Sequence, residues 1–189
     1  MKDSGIEWIW EIPKGWNVKK IKMLFSIIGR GTTPSSNDDT YYNGNISWIE
    51  DYSVLKIYNA SFIVVAMYAA SIGNIALSNL SAATNQACCV LSECVENLQY
   101  IYYAFISAKS NIIDEAKGGT QPNISQDIIK RFRLPVPSLA EQQQIAEYLD
   151  KKCAEIDELI SIKQQKIEKL TEYKKSLIYE YVTGKKEVV

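Results

Sequence analysis

The sequence predicts an α+β fold: one globular domain with a mixed sheet and helices, followed by a single long C-terminal α-helix. Three observations carry this. Short β-branched and apolar runs, separated by loops rich in Gly, Ser, Thr and Asn, fill residues 1–137. Residues 139–189 contain no Pro and a single Gly, Gly184, among 19 charges. Within that second stretch, apolar side chains recur at the helical period from Ile145 to Tyr181. The predicted division is therefore a globule over 1–137 and a helix over 138–189.

In chain order, Ile46–Ile49 reads as a short or edge strand. Phe62–Tyr68 is β-branched and apolar throughout, a buried strand, and Ala87–Leu91 is another. Leu98, Ile101, Tyr102, Phe105 and Ile112 fall at helical spacing, which predicts one amphipathic helix over Leu98–Ala116. Ser125–Lys130 reads as a short capped helix. Phe132–Val136 reads as a strand confined to an edge by Pro135, which has no N–H to donate. Loops are predicted at 29–45, 71–86 and 117–125.

Pro135 and Pro137 keep the chain extended up to Ser138, and Glu141 follows three residues later as a capping box. With Gly184 as the stop, the helix spans about 42 residues, roughly 63 Å. Its stripe is Ile145, Leu149, Cys153, Ile156, Ile160, Ile167, Leu170, Ile178 and Tyr181. A heptad reading also places Leu149, Ile156, Leu170 and Leu177 at one core position, and Ile145, Leu159 and Tyr173 at the other. Lys152, Lys163 and Lys166 interrupt it, so this is not a clean dimeric zipper. A small domain cannot cover so long a stripe. The expectation is an antiparallel coiled coil with another helix, from a second copy or another subunit; the alternative is a surface helix packed along its own domain.

Composition narrows the function. In 189 residues, 47% are hydrophobic and 23% charged, which is globular rather than disordered. Twenty-one Lys and Arg oppose 22 Asp and Glu, which excludes a uniformly basic nucleic-acid coat but not a local basic face. Histidine is absent, which removes His-based nucleophile systems, general bases and metal sites. Cys88, Cys89, Cys94 and Cys153 form no Cys-x-x-Cys pair and read as small apolar residues in a reducing compartment. The acidic N-terminus is unlike a signal peptide, and no apolar run is long enough to span a bilayer, so a cytoplasmic protein without membrane contact is expected.

No phosphate-binding loop and no amino-methylation motif is present. The carboxylate pairs Asp38–Asp39, Glu50–Asp51 and Asp114–Glu115 are sequence neighbours whose side chains diverge, so they do not make a dyad. The chain reads as a binding module without catalysis, cofactor or metal. Inside the globule, Lys14, Lys19, Lys20, Lys22 and Arg30 fall in a stretch free of acids, and Lys117, Lys130, Arg131 and Arg133 form a second basic stretch. Both border loops of small hydroxyl and amide residues, GRGTTPSSN and KGGTQPNIS, which can neutralise phosphates and read base edges.

The order of the motifs resembles the specificity subunit of type I restriction–modification systems. The matching stretches are KDSGIEWIWEIPKGWNVKKIK, GTTPSSNDDTYYNGNISWI, ASIGNIAL, ATNQACCVL, GGTQPNIS, LPVPSLAEQQQIAEYLDKKCAEID and SLIYEYVTGKK. The phrase LPVPSLAEQQQIAEYLD, closing an extended run and opening a long helix, is the most specific of them. Trp10, where a Gly is common, and Tyr42, where Tyr-Trp is usual, depart from the pattern.

Family subunits usually hold two target-recognition domains, each followed by a long helix that acts as spacer. Here one domain precedes one helix, and both ends carry family-like words. The resemblance therefore implies a half-length, non-catalytic DNA-specificity subunit working as a homodimer on a bipartite, interrupted palindrome. Its implied partners are double-stranded DNA, a second copy, the type I methyltransferase (modification) subunits and, where present, restriction/translocase subunits. The alternative is an assembly or decoy half-subunit that pairs with a full-length specificity subunit. Lys19, Lys20, Lys22, Arg30, Lys117 and Arg133 are the candidates for phosphate contact. Thr32, Thr33, Ser35, Ser36, Asn37, Thr120, Gln121 and Asn123 are the candidates for base edges. Ile145, Leu149, Ile156, Leu159, Ile160, Ile167, Leu170 and Leu177 are the candidates for helix pairing.

Overall fold

The computed structural model describes residues 1–31, 47–49, 57–116 and 122–188. Among them, eleven strands and four α-helices follow in the order β1 Lys2–Ile6, β2 Ile9–Ile12, β3 Asn17–Lys20, β4 Phe25–Arg30, β5 Ser47–Ile49, β6 Ile57–Tyr58, β7 Phe62–Ala66, β8 Ile75–Ser78, β9 Ala82–Thr84, β10 Cys88–Cys94, α1 Leu98–Ser107, α2 Lys109–Asp114, α3 Gln126–Arg131, β11 Arg133–Val136 and α4 Leu139–Val182. The predicted class, a mixed-sheet domain followed by one long helix, is what the chain adopts.

The central sheet has the order β4-β10-β7-β8, antiparallel throughout. β7 and β10 occupy its middle, which is why FIVVA reads as a continuous apolar run rather than an alternation: both faces are covered. Ile63, Val65, Cys89 and Leu91 pack with Ile101, Phe105, Ile112, Ile129 and Leu134 in the main core. Phe62, Val64, Val90, Tyr58 and Ala82 form a smaller cluster. The sheet β5-β9-β6 contains the parallel pair, β5 with β9. β11 pairs with β3 alone, so Pro135 sits on an edge as expected.

Two expectations change in detail. The helix expected over Leu98–Ala116 is two, broken at Ala108. There the Ser107 hydroxyl donates back to the Ala104 carbonyl (2.9 Å), and the Ala108 N–H is shared between Ala104 and Phe105 carbonyls (3.1 and 3.2 Å). The loop expected over 71–86 holds β8 and β9, whose short mixed sequences carry no period of their own. The N-terminal hairpin β1-β2 also escapes periodicity. Its register shifts between Asp3 and Ile6, at Gly5 with φ +65°, and the Ser4 hydroxyl bonds the Ile6 and Ile9 carbonyls.

The helix ends follow local chemistry. Ser125 caps α3 by accepting from Ile128 N–H (3.3 Å), and Asn97 caps α1 by accepting from Tyr100 N–H (2.8 Å). At the start of α4 the capping box forms: Ser138 N–H and Oγ donate to Glu141 Oε2 (3.2 and 2.9 Å). At its end Gly184 adopts φ +70°, and Lys185 N–H reaches the Glu180 carbonyl (2.8 Å). The helix is 44 residues long.

The chain divides into two compact units, Met1–Ala146 and Glu147–Val189. The first two turns of α4 belong to the first unit: Ala146 is buried and Ile145 packs against the main core. In the second unit the stripe is open, with Ile156, Leu159, Ile160, Ile167 and Leu170 all more than half exposed. Leu149 and Leu177 are half-buried. Among the described residues no helix is long and apolar enough to cross a membrane.

Candidate nucleic-acid interface

Strand register brings the recognisable turns to one end of the central sheet. Cys89 pairs with Arg30, Cys88 with Ala66, and Val65 with Ile75. The end of β4, the start of β10, the end of β7 and the start of β8 are therefore neighbours. Backbone bonds tie the connecting segments together: Met67 N–H donates to Ala87 (2.8 Å), and Ile124 N–H donates to Met67 (2.8 Å). The Asn85 side chain accepts from Ala87 N–H (2.8 Å), shaping the β9–β10 turn from within. Gly31 is required here: a Cβ on it would fall on the Thr84 carbonyl.

Arg30 and Asn123 are exposed at this end. In the chain, residue 32 follows Gly31 and residue 121 precedes Pro122. Thr32, Thr33, Ser35, Ser36, Asn37, Lys117, Thr120 and Gln121 themselves lie outside the described residues, as do Asp38–Asp39 and Glu50–Asp51.

The other basic residues collect elsewhere. In the β3–β11 pair Lys20 stands opposite Arg133 and Lys19 opposite Leu134. A 3-10 turn, Ile21–Met23, carries exposed Lys22 and leads into the start of β4. This group is a strand length, roughly 17 Å, from Arg30. Lys20 and Arg133 are like charges at facing positions, which costs stability unless an anion is near. They line a cleft of about 750 Å³ with Trp8, Asn111, Asp114, Glu115, Arg131 and Phe132. Trp8 stacks on Phe132 (6.1 Å), and Arg131 pairs with Glu115 (2.9 Å). Glu115 is thus one half of an ion pair, in keeping with the surface role expected of Asp114–Glu115.

Lys19 has a partner that its sequence neighbourhood hides. Its ammonium pairs with Glu96 Oε1 (2.6 Å), and the other Glu96 oxygen accepts from Gln142 Nε2 (2.8 Å). Gln142, fully buried, also donates to the Pro137 carbonyl (3.0 Å) and accepts from Asn97 N–H (2.9 Å). Sequence reading missed this cluster, because Glu96 and Gln142 are far apart in the chain and neither sits in a charged motif.

Burial alone would raise the Glu96 carboxyl. Its bonds from Lys19 and Gln142 prevail and hold it below its ordinary 4.5. The Glu141 carboxyl is also lowered, by the Ser138 hydroxyl and N–H. A depressed carboxyl contributes stability that is complete above its ordinary range and is lost as pH falls through the depressed value. Thermal midpoints measured from pH 7 to pH 3 should therefore fall. Glu96→Gln should start lower at pH 7 and converge on the wild type in acid. Parallel curves would show that Glu96 is not the titrating group.

The thiols have no comparable role. Burial pushes Cys89 up to about 12 and Cys94 up to about 11, so neither is a thiolate at neutral pH. No group of His, Cys, Asp and Glu able to hold a metal occurs among the described residues.

A family model described as the type I restriction modification DNA specificity domain matches residues 13–172. The chain belongs to this family. Among specificity-domain relatives, the type I restriction enzyme MjaIX specificity subunit of Methanocaldococcus jannaschii is 29% identical over 85% of this chain and 42% of its own. The EcoR124I/EcoR124II specificity subunit of Escherichia coli is 32% identical over 64% of this chain and 37% of its own. A chain from a structure addressing complex assembly and conformational transition of the type I R-M system has a TM-score of 0.75 at 14% identity, over 90% of this chain and 46% of that one. The type I S subunit from M. genitalium has a TM-score of 0.60 at 22% identity, covering 77% of this chain and 41% of that one. These two similarities establish the fold. This specificity-domain chain spans less than half the length of the relatives it matches.

Proposed function

We propose that this protein is a non-catalytic DNA sequence-specificity subunit of a type I restriction–modification complex. It works as a homodimer, paired antiparallel along α4, on a bipartite interrupted palindrome. One observation carries the pairing: on a single helix the apolar side chains Ile156, Leu159, Ile160, Ile167 and Leu170 are all more than half exposed. A self-complementary twofold contact covers both stripes at once. Methyltransferase subunits, and restriction/translocase subunits where the system has them, supply catalysis. The flipped base belongs to the methyltransferase, since this chain has no motif for amino methylation.

Two features of the first unit support the DNA reading. Gly31, Gly73, Ala87 and Asn123, each from a different family-like segment, lie at one sheet end, and this end is assigned to the base edges through Thr32, Thr33, Ser35, Ser36, Asn37, Thr120, Gln121 and Asn123. Arg30 and Lys117 flank them as phosphate contacts. Lys20, Lys22 and Arg133 form a second candidate group for phosphate contact, although Glu7, Asp114 and Glu115 line the same cleft as Lys20 and Arg133. Lys19 contributes less, because Glu96 already offsets its charge.

Affinity should fall with salt, and each true phosphate contact removed should lower the slope of log affinity against log salt by about one. Lys20→Ala with Arg133→Ala should lower it by about two, whereas Lys19→Ala should leave it nearly unchanged. Equal slopes for the double variant and the wild type would remove the β3–β11 pair from the interface. Size measurement of the pure chain tests the assembly: a dimer is expected. A monomer that gains mass only when a full-length specificity subunit is added would favour the assembly or decoy role.

A further inference from the structure

The root of α4 is polar where it is most buried. Gln142 is fully enclosed and makes three hydrogen bonds, to Glu96, Pro137 and Asn97. Glu96 is held from its other side by Lys19. Asn97, whose side chain caps α1, also donates from its amide to Gln143 Oε1 (2.6 Å). Stability does not require this arrangement, since apolar side chains of similar volume hold a buried helix as well as a desolvated ion pair does. A hydrogen-bonded network adds direction: its members must meet within a few tenths of an ångström and tens of degrees, whereas apolar packing tolerates small slides and tilts.

We propose that the Lys19–Glu96–Gln142–Asn97 network is a specificity-determining element, which fixes the angle at which α4 starts and so keeps the gap between two half-words sharp. This rests on the reading that two copies hold two readers apart along α4. The geometry makes the root sensitive. A helix of 44 residues is about 66 Å long, so a tilt of about 3° at its start sweeps its far end by about 3.4 Å, the rise of one base pair. Slack too small to unfold anything is enough to blur the spacing. Gln142 and Asn97 act here as positioning residues and touch no DNA.

The test uses the full chain and duplexes carrying the two half-words at the native gap and at gaps one base pair shorter and longer, beside a duplex with a single half-word. The wild type should prefer the native gap by about tenfold or more, the size of one mismatched base pair. Gln142→Met, which keeps volume but not the bonds, should reduce that preference to about threefold or less while single half-word affinity stays within about twofold. Glu96→Gln keeps the shape of the side chain and removes the carboxylate to which both Lys19 and Gln142 donate, so it decides the matter if Gln142→Met fails to fold. It should also flatten the preference. If the folded variants choose the native gap as sharply as the wild type, or lose affinity equally at every gap, the network is structural only and the proposal fails. A wild type indifferent to the gap would instead refute the paired-reader reading beneath it.

Discussion

Replacing Ile156 and Leu170 together by Lys is expected to convert the proposed dimer into a monomer. Both side chains sit in the second unit, 54% and 58% exposed in the single chain, at the same position of the heptad pattern. Pairing would bury them, and the variant would add four ammonium groups per dimer to a seam that already holds Lys152, Lys163 and Lys166. An uncompensated buried charge costs about 3–5 kcal/mol, and each 1.4 kcal/mol is a tenfold change, so even one such charge weakens pairing by more than about 100-fold. The first unit should be untouched, because both substituted positions lie in the second. Light scattering should read half the wild-type mass with the same circular dichroism melt of the globule. An unchanged dimer would place the contact elsewhere.

Removing seven residues from α4 beyond Ala146 is expected to shorten the gap between half-words by about three base pairs. Seven residues are nearly two turns, so the stripe returns to its face, and the helix loses about 10.5 Å against a rise of 3.4 Å per base pair. The words themselves should be unchanged, since they are assigned to the far end of the central sheet. Removing five residues instead turns the stripe by about 140° and should abolish pairing rather than shift the gap. A seven-residue deletion that leaves the gap as it was would mean that α4 does not set it.

What could be read in advance was what periodicity and local chemistry encode. The α4 stripe repeats over some ten turns, and its ends are written in Ser138, Glu141 and Gly184, so its span could be placed within a few residues. β7 and β10 are short apolar runs in the middle of a sheet, where burial on both faces leaves a plain signal. Short strands such as β1, β8 and β9 owe their state to neighbours, not to their own composition. The break at Ala108 carries no Gly or Pro that would have marked it.

The candidate site divides the same way. Lys20 and Arg133 read as basic in isolation, but only the β3–β11 register sets them face to face. Lys19 read as a candidate for phosphate contact, and its partner Glu96 lies 77 residues away. Gln142 stood inside the most specific phrase of the sequence, yet no local rule distinguishes it from Gln143 and Gln144, which are exposed. Contacts made at long range through register and packing were the part the sequence could not spell out.

The central claim is that two identical readers act together across a twofold axis, and the map of methylated adenines in cells carrying this protein as the sole specificity subunit tests it most directly. A symmetric protein must be met by a symmetric site. The account predicts two inverted copies of one short word separated by a fixed number of unread bases. A motif with two unrelated halves would contradict it, and would mean that this chain reads DNA beside a different partner.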